Sequence, residues 1–221
     1  SPDNVSDTNI SRATSQNLIF STNLTLTQYF RRKVTELSSG AIGYSDVATI
    51  IVNPQLTAGS VSASVSIINY GTLPGTFTST SLAGGGNCAG AYSYMWQQST
   101  DNVNWTDMKL FTNTTLTPGT LYATTYFRRK AICGTETAYA NVLPLTVHPA
   151  VSAGLIAQVT LNIVSGASPG ALVADSAAGG ACGTSFNYQW QSSPEGIYFN
   201  DIPSANGLYY TPGNLTATTW F

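Results

Sequence analysis

Apolar and polar positions alternate with a period of two along most of the chain, in short runs broken by Gly, Pro and Asn. Between residues 60 and 68, Val61, Ala63, Val65 and Ile67 alternate with Ser. Successive side chains of a strand point to opposite faces, so this alternation predicts a half-buried strand. The same reading predicts strands over 74–81 around Phe77, 92–99 carrying Trp96, 103–108 with Trp105, 111–116, 123–132 and 138–147. Gly84-Gly85-Gly86-Asn87 reads as a loop, and Asp101-Asn102 and Pro118-Gly119 read as turns. No stretch carries a helical period. Short strands with turn signals about every 8–12 residues predict an all-β fold, an Ig-like β-sandwich.

The pattern repeats. Tyr94-Met95-Trp96-Gln97-Gln98-Ser99 returns as Tyr188-Gln189-Trp190-Gln191-Ser192-Ser193, and Cys88 returns as Cys182, both 94 residues on. Tyr29-Phe30-Arg31-Arg32-Lys33 returns as Tyr126-Phe127-Arg128-Arg129-Lys130 and begins again as Trp220-Phe221. Val52-Asn53-Pro54 matches Val147-His148-Pro149. A unit of about 95 residues is the size of one Ig-like sandwich. Ser1-Pro2-Asp3 aligns with Ser193-Pro194-Glu195, which sets the frame. Residues 1–53 are then expected to be the C-terminal half of one unit, 54–148 a complete unit, and 149–221 the N-terminal part of a third. In this frame the chain reads as a window of a longer array.

Within the complete unit, the Trp96 strand takes the place of strand C and the Tyr126 strand that of F, antiparallel neighbours in one sheet. Trp96 is the expected core anchor. Alternation puts Tyr126, Arg128 and Lys130 on one face and Phe127 and Arg129 on the other. Phe127 is the core candidate. Arg129 is then expected at the sheet rim or on a partner, because a buried unpaired guanidinium is costly.

Hydrophobic residues make up 43% of the 221 residues, enough for a packed core, while charged residues are only 8%. An ordinary soluble chain carries about 25%, so Ser, Thr and backbone must solvate much of this surface. Net charge is −2, and Arg-Arg-Lys is the longest basic tract. Nucleic-acid binding needs a concentrated basic footprint and is not expected. Nor is direct membrane insertion, since no apolar run approaches the length of a spanning helix.

Cys88 precedes strand C and Cys133 ends strand F. Where C and F are antiparallel neighbours these positions lie close, so a Cys88–Cys133 disulfide is expected; the alternative is three free thiols. The partner of Cys182 would fall beyond Phe221, and Glu36 stands where the first unit would carry its Cys133 counterpart. A disulfide implies an oxidising compartment.

Catalytic chemistry is not expected. The one His, His148, sits in a linker beside Pro149, away from any nucleophile it could serve. Asp101 and Asp107 are the candidate carboxylate pair, but both fall at a hairpin turn where Asp is common. Asp101, Asn102, Asn104 and Asp107 could supply oxygen ligands to Ca²⁺; turn formation is the competing reading. No metal or cofactor is expected. Trp105, among several aromatics, is the candidate for stacking on a sugar, against cross-strand packing.

The segments 94–99, Trp105-Thr106-Asp107, 116–119, 123–130 and Cys133-Gly134 resemble the Ig-like repeats of very large secreted surface proteins of Bacteroidota. Giant gliding-motility adhesins of the SprB type are their best-known carriers. The resemblance implies type IX secretion, a bacterial cell-surface location, and a structural or adhesive role in a stalk or filament. Its partners would be neighbouring repeats, surface glycans or other surface proteins. Asp175-Ser176-Ala177 resembles the O-glycosylation motif of these bacteria, which would place a sugar on Ser176. Two further roles compete: a carbohydrate-binding module, and a non-catalytic spacer of a secreted enzyme.

Overall fold

The computed structural model describes residues 1–157 and 160–221. Among them every regular element is a strand, so the fold is all-β. The first unit holds β1 (Gln28–Phe30), β2 (Lys33–Thr35), β3 (Ile42–Tyr44) and β4 (Ala48–Ile50). The central unit holds β5 (Ser60–Ser62), β6 (Ile67–Asn69), β7 (Thr78–Ser81), β8 (Ser93–Ser99), β9 (Thr106–Met108), β10 (Thr125–Cys133), β11 (Glu136–Tyr139) and β12 (Leu143–His148). The third holds β13 (Leu172–Val173), β14 (Gln191–Ser192), β15 (Asn200–Asp201) and β16 (Tyr209–Tyr210).

The central unit is a two-layer sandwich. Its large sheet runs β6-β12-β10-β8-β9, with β11 also paired to β10. Facing it is the β5-β7 pair, prolonged by bridges Phe77–Leu116 and Thr57–Gly84. β10 alternates strictly: Thr125, Phe127, Arg129, Ala131 and Cys133 are buried, and the residues between them are half-buried. Phe127, Trp96 and Phe77 are fully buried. Phe77 meets Phe127 edge-on at 5.1 Å and lies 6.2 Å from Trp96. The indole of Trp96 donates to the Asn113 carbonyl at 3.0 Å, which satisfies the one polar group that a buried Trp brings into a core.

Three predicted strands depart from expectation. The 60–68 run is two strands: β5 pairs antiparallel with β7, and β6 pairs parallel with β12 in the other sheet. The inward phase flips at this crossing, so Val61 is buried, Val65 and Ile67 are exposed, and Ile68 packs on the core. Alternation is local and carries no mark of which sheet a strand joins. The 138–147 run also splits. β11 pairs Tyr139 with Lys130, whereas β12 pairs Leu143 with Phe127, a register one residue out. Asn141 falls in that bulge, and its side-chain amide accepts from Val61 N and donates to Val61 O, both at 2.9 Å. Residues 111–116 form no strand. Leu116 only bridges Phe77, while the Asn113 and Thr114 carbonyls accept from side chains instead.

The repeat seen in the sequence returns as geometry. Trp190 donates to the Gly207 carbonyl at 2.9 Å as Trp96 does to Asn113. The Tyr188 hydroxyl accepts from Ala177 N as Tyr94 accepts from Ala83 N. Gly59 and Gly154 have positive φ, and a Cβ on either would collide with backbone carbonyls, of Ser81 and Asp175 respectively. Only glycine accepts both demands. The offset between units is 95 at Phe77 and Leu172 but 94 at Ser81 and Asp175. The extra central residue is Thr80, skipped where Ser60 pairs Ser81 and Val61 pairs Ser79. A one-residue bulge thus accounts for the insertion. Among the described residues, no hydrogen bond or strand pair joins one unit to the next.

Candidate functional site

The outer face of the large sheet gathers a cluster of polar and aromatic residues of the central unit. Because β10 turns Phe127 and Arg129 inward, it turns Tyr126, Arg128 and Lys130 outward. Arg128 stands opposite Gln97 on β8, and Gln97 stands opposite Asp107 on β9. This register builds a polar chain across three strands. Arg128 Nε donates to Gln97 Oε1 at 2.7 Å, and Gln97 Nε2 donates to Asp107 Oδ1 at 2.7 Å. Lys130 Nζ reaches both Asp107 oxygens, at 3.1 and 2.9 Å. The Lys130 ammonium, then the Gln97 amide, holds the Asp107 carboxyl below the usual carboxylate range. The Arg128 guanidinium lies 4.0 Å from the Trp105 ring centre and 4.1 Å from that of Tyr139. Those rings come from opposite sides of β10, so the cation is flanked by two π faces.

Trp105 therefore lies half-buried beside β9 with a ring face against Arg128. Its position is used differently in the first unit, where Asp7 takes its place and pairs with Arg31. Arg31 still lies over the ring of Tyr44, the counterpart of Tyr139, at 4.2 Å. In the third unit Gln191 donates to Asp201 at 2.8 Å, repeating Gln97 and Asp107. Alternation in the sequence placed Arg128 and Lys130 on this face, whereas the Gln97 link and the place of Tyr139 against Arg128 were not singled out. The recurrence of Gln and Asp 94 residues apart, and of Arg and Tyr between the first two units, was the available signal.

The candidate Ca²⁺ ligands serve a turn. Asp101 Oδ1 accepts from Ser99 Oγ, Val103 N and Asn104 N, and Oδ2 accepts from Asn104 Nδ2. Those donors, the Asn104 backbone N–H foremost, push the Asp101 carboxyl well below its usual range. Asp107 points instead into the Lys130 contact, so the two carboxylates do not converge. Asn102 has φ of 59°, and Asn4 and Gly196 hold the same left-handed position in the other units. Asp3 repeats the turn, with its carboxyl lowered by Ser1 first and then Ser6.

Cys88 and Cys133 are bonded, their Cα atoms 5.5 Å apart and 45 residues apart in sequence. The bridge ties the loop before β8 to the end of β10. A Cβ on Gly86 would fall 2.8 Å from Cys133 Sγ, and φ there is +69°. Cys182 is exposed and unbonded in this structure. Glu36, in the place of Cys133, instead accepts from Ser39 Oγ. Ser176 is exposed, while its neighbours are anchored through Asp175 N to Leu155 O and Ala177 N to the Tyr188 hydroxyl. His148 ends β12, half-buried and opposite Asn69. No cluster of three or more His, Cys, Asp or Glu occurs among the described residues.

A protein-family profile described as Domain of unknown function (DUF8696) matches residues 1–54, 57–149 and 152–221. The chain belongs to this family. The matched stretches are separated at 55–56 and 150–151, just after Pro54 and Pro149, so the chain carries three successive DUF8696 matches. No curated protein matches the chain.

Proposed function

We propose that this chain is a structural and adhesive segment of a tandem-repeat stalk or filament on a cell surface. One observation carries the reading: successive units reuse the same internal contacts, and the hydrogen bonds among the described residues stay within each unit. Units of that kind act as independent beads in series. Function then lies in reach, in resistance to pulling, and in contacts made by the array with surface glycans or other surface proteins. The Cys88–Cys133 bridge fits an oxidising exterior, and the hydroxyl-rich, weakly charged composition suits a secreted sandwich. Export by a bacterial secretion system, as the adhesin resemblance implies, belongs to this proposal.

Single-molecule stretching tests it. The central unit should unfold as its own event. Oxidised, it should release about 180 Å of contour, from roughly 50 residues outside the bridged loop at about 3.6 Å each. Reduction should lengthen that event by about 160 Å as the bridged loop joins in. Unfolding of the chain in a single merged event, or a release unaffected by reductant, would overturn the beads-in-series reading.

A further inference from the structure

Arg129 is the only fully buried charged side chain among the described residues. It does not reach the rim, the first of the two places expected from sequence, and its partners are not carboxylates; the ion pairs described are Arg31–Asp7 and Lys130–Asp107. Its guanidinium donates instead to the carbonyls of Ala58 (2.7 Å), Ser81 (3.1 Å) and Thr114 (3.4 Å) and to the Ser79 hydroxyl. It also lies 4.5 Å over the Tyr94 ring. Nε has no partner, and burial lowers the guanidinium pKa from its ordinary value. A buried charge without a counter-ion persists only where charge-assisted hydrogen bonds offset its desolvation.

The acceptors come from distinct places. Arg129 belongs to β10 in the large sheet. Ser79 and Ser81 belong to β7 in the facing sheet, Ala58 precedes β5, and Thr114 lies in the segment between β9 and β10. One side chain therefore ties four segments across the sandwich. In antibody domains a disulfide between strands B and F spans the two sheets. Here the disulfide joins a loop to the end of β10 and leaves that position to Arg129. Three of the four acceptors are backbone carbonyls, so the seat depends little on side-chain identity. In the first unit the matching Arg32 is exposed.

We infer that Arg129 is the pin between the two sheets of the central unit, and that its seat is a guanidinium-binding site built from backbone carbonyls. The test uses the full chain with Arg129→Ala, Arg129→Met and Arg129→Lys. Hydrogen exchange is read on β5, β7 and β10, with thermal melting alongside. Exchange in β5 and β7 should accelerate at least tenfold in the Ala and Met variants, with Lys intermediate. Millimolar guanidinium chloride should raise the melting temperature of Arg129→Ala above that in equal sodium chloride, and should leave the wild type unchanged. The Cys88–Cys133 bridge, reduced or intact, should not alter that rescue. Failure of both the Ala and Met variants to fold would support the pin, since Met is smaller than the side chain it replaces. An Arg129→Met chain as stable and as protected as wild type would overturn it. A folded Arg129→Ala chain that guanidinium does not rescue would overturn the binding site.

Discussion

Residues 29–33 and 126–130 both read Tyr-Phe-Arg-Arg-Lys, yet they end in opposite surroundings. In the central unit the phrase lies in the unbroken strand β10, Phe127 and Arg129 are fully buried, and seven residues of β8 pair alongside. In the first unit the phrase is split between β1 and β2, Phe30 is half-buried against Phe20 at 5.0 Å, and Arg32 is exposed. The segments that line Arg129, at Ala58, Ser79 and Ser81, lie 48 to 71 residues before it in the chain. A strand's sequence thus proposes which face is apolar. Segments dozens of residues away decide whether that face becomes a core. What survives in both units is the outer, cross-strand chemistry: Arg31 over Tyr44 and Arg128 over Tyr139.

The sharpest way to break this comparison is to remove the same ring from both units. Phe127→Ala should cost about 3–5 kcal/mol, the usual range for a buried aromatic. Phe30→Ala should cost less, about 1–2 kcal/mol, because its ring is only half-buried, against Phe20, and not in a closed core. Urea unfolding of the two variants measures the difference, and equal losses would mean that the first unit packs as the central one does.

Next in size is the bridge. Replacing Cys88 and Cys133 together by Ala should destabilise the central unit by about 4 kcal/mol in the chain-entropy model, given the loop they close. Reductant should lower its melting temperature in the same way and leave the first unit unmoved, since Glu36 stands at the corresponding position. A central unit whose melting ignores reductant would count against the bridge as a stabiliser.

The smallest effect concerns Asp107. Its folded pKa lies below the unfolded value, so its contribution is present above the unfolded carboxylate range and is lost as pH falls through the folded pKa. The Asp107 side chain is 36% exposed and that of Lys130 16%, so the contribution is modest, about 0.5–1 kcal/mol after screening. Asp107→Asn should flatten that acid-side loss, with little change near neutrality beyond the same amount. Melting curves at a series of pH values compare the two chains; identical acid profiles would show that the Lys130 contact does not stabilise the fold.

The sequence alone pointed to most of the strands, the unit of about 95 residues, the all-β class, Trp96 and Phe127 as core residues, and Cys88 and Cys133 as a pair close enough to bridge. These are local or near-periodic facts, and alternation, recurrence and spacing record them directly. It also put Phe127 and Arg129 on the same face of their strand. Only the tertiary structure decided that residues 60–68 leave one sheet for the other, that Asn141 bulges out to hold Val61, and that Arg128 sits between Trp105 and Tyr139. The same holds for Arg129, whose expected place at a rim became a seat among carbonyls. The reason is physical: three of its four acceptors are backbone groups, which every residue carries, so no residue type in the sequence marks them. They converge only when two sheets close over one another.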